Sequence, residues 1–417
     1  MARRHVSHLL IGGGLASVSC AEALRQRGAE GEIVLVGREP DPPYDRPPCT
    51  KQYIQGKQTR EETILHPPGW YEERAIELRT AASVMKLDPG ARVATLVGGE
   101  ELSFECALLA TGANVRRLPV PGSELEGIYY LRTIRNADTV REAAAGRRVV
   151  LVGGSYIASE LAASLTELGS SCAMVMVEPE PLSLAFGERA GRFFRAVLEE
   201  HGVELYGGER LERFEGGHGR VERVRCASGL TLQAEAVVLG TGAVPEVTLA
   251  RAAGLELGPA GGVRVDETLA TAAPGIWAAG DIAEYRSVVH GGAWLRIEHW
   301  DVAFNQGRHA AAAMLGERAP YDVVPYFFSD LADWASLEYV GPAYEWEREL
   351  VRGSLEDGAF TVFYVKDGRL RGALTVGRSE DLQAARALIA AGGELGERVE
   401  ALADPSTDLD ALVDGDR

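Results

Sequence analysis

His8–Gly37 reads HLLIGGGLASVSCAEALRQRGAEGEIVLVG, and this one stretch contains a complete strand, turn, helix and strand. The apolar run ending at Ile11 is short and unbroken, as a parallel strand covered on both faces must be. Gly12, Gly13 and Gly14 make the turn. From Leu15 onward apolar residues recur every three or four positions, which predicts a helix with one buried face. The order recurs at Arg148–Val177 as RVVLV, GGS, YIASELAASLTELG and CAMVMV. Each unit has an echo downstream, CALLATGA at Cys106–Ala113 and VVLGTGA at Val237–Ala243. Two echoes, each following its own glycine turn, predict two related α/β domains of Rossmann-like, dinucleotide-binding type.

A third region differs. Phe360–Val365 (FTVFYV) and Leu370–Val376 (LRGALTV) flank the turn Lys366-Asp367-Gly368-Arg369, a hairpin signal. A helix is expected from Ser379, its N-cap, to Ala391. The expected layout is a discontinuous first domain, 1–116 and 244–319, with a second domain, 117–243, inserted in it. A small α+β domain, 320–417, closes the chain. Its end, Gly392–Arg417, is rich in Glu, Asp and Ala, and is expected to be a solvated, partly disordered tail.

The 417 residues are 46% hydrophobic and 25% charged, as in an ordinary globular enzyme. A net charge of −18 disfavours binding to nucleic acid or an anionic membrane. No stretch reaches the roughly 18 apolar residues of a membrane span, so a cytoplasmic protein without membrane insertion, monomeric or homodimeric, is expected. Cys20, Cys49, Cys106, Cys172 and Cys226 are scattered, with no CxxC and no metal-ligand spacing. Four are expected as small buried apolar residues.

Gly12-Gly13-Gly14-Leu15-Ala16-Ser17 fits G-x-G-x-x-small. Gly12 allows the tight turn, Gly14 lets the backbone approach a pyrophosphate, and a small residue at Ala16 or Ser17 lets helix and strand pack closely. The helix start then offers N–H groups to phosphate. After the second strand, Glu39 is the candidate acceptor for a ribose, with Arg38 one residue nearer the strand.

Pro43–Lys51, PYDRPPCTK, resembles the P-Y-x-R-P-P-L-S-K segment of the ferredoxin reductase and apoptosis-inducing-factor family of flavoproteins. The likeness continues through ATGA (Ala110–Ala113), LRT (Leu131–Thr133), AAGD (Ala278–Asp281), RIEHW (Arg296–Trp300) and PYFFSD (Pro325–Asp330). It implies a glutathione-reductase-like arrangement with FAD on the first domain and NADH on the second. It implies that Gly280 and Asp281 hold the ribityl chain, and that Ala110, Thr111 and Gly112 line the flavin domain. Arg46 and Arg132 would sit near the pyrophosphate or isoalloxazine, Val84 near adenine, and Trp300 at the pyrimidine end of the ring. Lys51 and Glu160 would form an ion pair beside flavin N5 and act as the catalytic pair, a positive charge stabilising the reduced flavin.

The second glycine loop, Gly153-Gly154-Ser155-Tyr156-Ile157-Ala158, is a worn form of the first, with Ser155 and Ala158 in place of glycines. A serine there still fits, and its hydroxyl is a possible extra hydrogen bond to phosphate. Glu178 follows the strand CAMVMV, where a carboxylate binds the 2′-hydroxyl of NAD and repels the 2′-phosphate of NADP. Gly242 belongs to the matching GTG turn. The resemblance implies a ferredoxin or rubredoxin as electron acceptor, docked on a local basic patch for which Arg116, Arg117 and Arg308 are candidates. Other acceptors remain open: oxygen or peroxide, or a disulfide handled by Cys49, which stands where the family has leucine. An NADH-responsive redox sensor is the remaining alternative.

Overall fold

In the computed structural model, which describes residues 3–414, the chain divides into two units. The first comprises residues up to Asp45, Ile64–Asn114 and Val244–Tyr326. Its main sheet runs Ile76–Arg79, Ile33–Val36, Arg4–Ile11 and Glu101–Leu109 in spatial order, and Ile276–Ala278 also pairs with the last of these strands. These neighbours are parallel, with Leu10 opposite both Leu35 and Leu108. The hairpin Val84–Asp88/Val93–Leu96 extends the sheet antiparallel at one edge. Every side chain of Ile33–Val36 is buried, which explains the unbroken apolar run. The predicted first helix is Leu15–Gln26, and its face Val18, Cys20, Ala21 and Leu24 joins the core.

The second unit comprises Arg46–Thr63, Val115–Ala243 and Phe327 onward. Its parallel sheet orders Glu204–Tyr206, Ser171–Val175, Arg148–Val152, Ala236–Leu239 and Ile128–Tyr130. The helix Tyr156–Glu167 packs on it. The segment Arg46–Thr63 belongs to this unit, where the Tyr53 hydroxyl bonds to Asp138 at 2.5 Å and Gln55 to Ser164 at 2.9 Å. The later residues form an antiparallel sheet in the order Tyr326–Leu331, Ala335–Val340, Arg369–Val376, Ala359–Lys366 and Arg348–Ser354. The expected hairpin is present, with Asp367 and Gly368 both at positive φ in its two-residue loop.

Two expectations need correction. Ser379 precedes the helix Glu380–Ala391, but its side chain makes no cap bond. Its backbone is already helical, and its hydroxyl donates to Glu338 instead. The C-terminal stretch is ordered as far as it is described, with a 3-10 helix at Gly396–Ala403 and a helix at Leu409–Asp414. Leu395, Val399, Leu402, Leu409 and Leu412 are buried. The buried Arg352 guanidinium donates to the carbonyls of Asp404, Pro405 and Thr407, which fixes the backbone between the two helices. The acidic composition hid a leucine face. Among the described residues, no helix is long and apolar enough to cross a membrane.

Candidate active site

The first unit gathers Gly12, Gly14, Ala16, Ser17, Glu39, Val84, Ala110, Thr111, Gly112, Gly280, Asp281 and Trp300. Gly12 has φ +129, and a Cβ there would lie 2.0 Å from the carbonyl oxygen of Ala110. Chain crossing at this distance admits only glycine. At Gly14, which N-caps Leu15–Gln26, a Cβ would meet nothing within 4 Å. The space before the helix start is therefore open, and its N–H groups suit a pyrophosphate. Glu39, half-buried, accepts the Tyr44 hydroxyl at 2.6 Å. Thr111 donates to the Glu246 carbonyl at 2.7 Å. The Gly280 N–H is held by the buried Gln306 side chain at 2.9 Å, which sets the turn bearing Asp281. Burial lowers the pKa of neighbouring His299 to about 4, against the pull of Asp281, so this imidazole is neutral at physiological pH. Trp300 is at the surface, stacks on Phe304 at 5.4 Å between centroids, and donates to Asp45 at 2.6 Å. Val84 opens the edge hairpin and is half-buried. An open loop for phosphates, acidic groups for hydroxyls and an exposed helix start together fit FAD.

The second unit holds Arg46, Lys51, Arg132, Gly153, Ser155, Ile157, Glu160, Glu178 and Gly242. Gly153 repeats Gly12: φ is +122, and a Cβ would lie 2.3 Å from the Gly240 carbonyl oxygen. Ser155 N-caps Tyr156–Glu167, but its hydroxyl donates to that same Gly240 carbonyl at 2.7 Å. Its one hydrogen is committed to the chain, so it adds no bond to phosphate. Glu178 Oε2 would be 3.1 Å from a Cβ at Gly154, and this buried oxygen has no hydrogen-bond partner. An acceptor left unsatisfied beside a glycine loop fits a ribose diol. Gly242 has φ +90, and its carbonyl accepts the Arg116 N–H at 2.9 Å. Arg46 donates to the Arg132 carbonyl at 2.7 Å, which brings those two predicted residues together.

Lys51 and Glu160 are also brought together, at 3.5 Å, with side chains only 5% and 8% exposed. The apolar surroundings of Glu160 thus conceal a buried carboxyl group and not an exposed one. The motif PYFFSD supplies partners that spacing alone did not single out. Asp330 lies nearer to the Lys51 ammonium, at 2.9 Å, and Ser329 donates to Glu160 at 2.6 Å. Thr50 contacts the other Glu160 oxygen at 2.5 Å. The Phe328 ring lies 4.5 Å from the ammonium, a cation–π contact. Cys49, two residues away, is fully buried, and none of the five cysteines is in a disulfide.

Two parallel α/β sheets, each ending in a glycine loop with an acidic residue after the next strand, define a dinucleotide-dependent oxidoreductase with two nucleotide sites. The model of the pyridine nucleotide-disulphide oxidoreductase family matches residues 6–307, and that of the reductase C-terminal family matches 326–413. A probable ferredoxin reductase, CtmF, of Castellaniella defragrans is 34% identical over 97% of this chain and 98% of its own length. Rhodocoxin reductase of Rhodococcus erythropolis is 34% identical over 98% and 94%. The solved ferredoxin reductase for the CYP199A2 system of Rhodopseudomonas palustris superposes with a TM-score of 0.92 at 31% identity, covering 98% of this chain and 99% of that one. The reductase–putidaredoxin covalent complex gives the same TM-score at 30% identity, covering 98% of both. The chain belongs to the pyridine nucleotide-disulphide oxidoreductase family. It is an FAD-dependent oxidoreductase that uses NAD(H).

Proposed function

We propose that this enzyme takes a hydride from NADH and delivers its electrons singly to a small iron–sulfur protein of the ferredoxin or rubredoxin kind, in the cytoplasm. FAD, when bound, supplies the conversion of one two-electron donation into two one-electron deliveries. Each NADH oxidised in this way yields two electrons for two acceptors and one proton for solvent. The observation that carries the reading is the buried Lys51 held between Glu160 and Asp330. A dithiol reductase needs a cysteine pair, and the five cysteines here are scattered, with no CxxC and none in a disulfide. Near full-length likeness to relatives named as ferredoxin and rhodocoxin reductases supports the same acceptor class.

In this reading Gly12, Gly14 and the start of Leu15–Gln26 hold the FAD pyrophosphate, Glu39 and Val84 its adenosine end, Asp281 the ribityl hydroxyls and Trp300 the pyrimidine edge. Ala110, Thr111, Gly112 and Gly280 shape the walls, and Arg46 and Arg132 add positive charge. Gly153, Ser155, Ile157 and Gly242 seat the NADH, with Glu178 on its 2′-hydroxyl. Lys51 is the cation that stabilises negative charge arriving on the flavin. Arg116 and Arg117 are exposed, and Arg308 is half-buried beside Phe304; these are the candidates to meet an acidic partner.

Stopped-flow reduction by NADH, followed by mixing with ferredoxin, oxygen or peroxide, tests the reading. Rapid reoxidation by the iron–sulfur protein alone is expected. Rapid turnover of peroxide or a disulfide, abolished by Cys49→Ser, would overturn it.

A further inference from the structure

Glu178 is the acidic residue at the second glycine loop, yet its buried oxygen has no partner in the chain. Its aim is therefore set by the backbone that carries it. That backbone leaves the sheet early, because the ladder between Ser171–Val175 and Glu204–Tyr206 ends at Val175 and Tyr206. Beyond it, Pro179 and Pro181 flank Glu180, and neither proline has an N–H with which to pin the loop. The Glu178 carbonyl accepts the Gly208 N–H at 3.0 Å, and the Leu182 N–H reaches the Gly154 carbonyl at 2.8 Å. The stretch between these two bonds is held by one side chain.

That side chain is Arg195, on the helix Ser183–Glu200 and past the break at Gly187. Its neighbours Phe194 and Leu198 are fully buried, which fixes the face that Arg195 presents. A guanidinium has five N–H donors in a rigid fork, and here the fork reaches four acceptors. Nη2 donates to the Pro179 carbonyl at 2.9 Å, and Nε donates to the Glu180 carboxylate. Nη1 donates to Glu199, one turn on, at 2.9 Å and lies 3.5 Å from the Leu205 carbonyl. One residue thus ties the loop to the helix and to the strand Glu204–Tyr206.

The fit around this tie is close. A Cβ at Gly207 would lie 2.1 Å from the Pro179 oxygen, and one at Gly191 would lie 2.6 Å from the Glu180 Cβ. Arg195 and Glu180 are only 23% and 16% exposed, so water replaces their bond poorly. The charge of Arg195 is also neutralised. Glu180 and Glu199 both pair with it, so a guanidinium in contact with the loop offers no net charge to a 2′-phosphate.

We propose that Arg195 is a positioning residue for nucleotide choice, fixing Pro179–Glu180 so that the preceding Glu178 carboxylate faces the ribose hydroxyls of NADH. The proposal rests on the reading of Glu178 as the ribose acceptor. Arg195 touches no nucleotide and acts only through the loop. Without it the loop carries Glu178 off the diol, and the enzyme tells NADH from NADPH less well.

Anaerobic stopped-flow reduction of FAD-loaded protein by NADH and by NADPH tests this, with no electron acceptor present. Arg195→Met should raise the NADH concentration for half-maximal flavin reduction by roughly fivefold, with the limiting rate kept and the NADPH value unmoved. Calorimetric titration with NAD+ should show the same loss of affinity. A purely structural role would lower the amount of active protein and leave the ratio of the two donors as it was. Arg195→Lys can still pair with Glu180 but cannot fork to the Pro179 carbonyl. Its ratio should fall by a smaller factor, and it carries the test should Arg195→Met not fold. Adding Arg195→Met to Glu178→Ala should lower the ratio no further than Glu178→Ala alone, since both changes act on one carboxylate. A ratio that neither Arg195 variant changes, or a double variant in which the two losses add, overturns the proposal. A ratio that Glu178→Ala itself leaves unchanged would instead bring down the reading of Glu178, and the role of Arg195 with it.

Discussion

At the scale of single residues, the proposed function turns on Lys51. Its ammonium lies under the Phe328 ring and between two carboxylates, so its position is fixed from three sides. Replacing it by an isosteric apolar side chain removes the charge with little change in volume. Lys51→Met should therefore retain FAD while anaerobic reduction by NADH slows by about 10²-fold, the usual scale for one lost electrostatic stabiliser. Flavin absorbance in a stopped-flow experiment reads both quantities, and an unchanged rate removes Lys51 from the mechanism. In the proposed function, Glu178 acts at the same scale on the choice of donor. Its unsatisfied oxygen suits a hydroxyl and repels a phosphate. Glu178→Ala should lower the kcat/KM preference for NADH over NADPH by roughly tenfold, about 1.4 kcal/mol. A preference that stays put would place the specificity elsewhere.

At the scale of elements, the glycine turns show two separate demands on one motif. Gly12 is required by the chain itself, because a Cβ would collide with the Ala110 carbonyl. Gly14 has extended backbone and empty space around it, so only a ligand could require its smallness. Gly14→Ala should fold with unchanged thermal stability and lose FAD affinity by at least about tenfold, whereas Gly12→Ala should lose stability as well. Thermal unfolding of apoprotein and flavin titration separate the two effects. The C-terminal helices depend on a different kind of link. Arg352 pairs with buried Asp381 at 3.2 Å while it donates to three carbonyls of the closing segment. Arg352→Met strands a buried acid that Arg378 only partly compensates, at 2.9 Å. A loss of about 3 kcal/mol is expected in urea unfolding, with faster hydrogen exchange across residues 396–413. Exchange unchanged there would show that the leucine face alone holds the segment.

For the whole molecule, much of the plan was legible in the linear text. Two unbroken apolar strands before two glycine turns can hardly be anything but covered parallel sheets, because local period and turn chemistry both act over a few residues. The Asp-Gly hairpin was equally local. The C-terminal helices were not legible, because their leucines are spread through acidic sequence and gain meaning only against Arg348–Ser354 and Glu380–Ala391. The Ser379 cap failed for a similar reason: a distant carboxylate, Glu338, competes for its hydroxyl. Ser155 likewise gave its hydrogen to a carbonyl 85 residues onward. By itself, then, the sequence determined the pair of α/β units, the glycine loops and the acidic residues that follow their strands, since each depends on neighbours in the chain. Only the tertiary structure decided that Glu160 is buried, that Asp330 lies closer than Glu160 to Lys51, and that Ser329 and Thr50 complete the cluster. Those contacts join residues more than 100 positions apart, and a buried charge finds its partners in space, where sequence period says nothing.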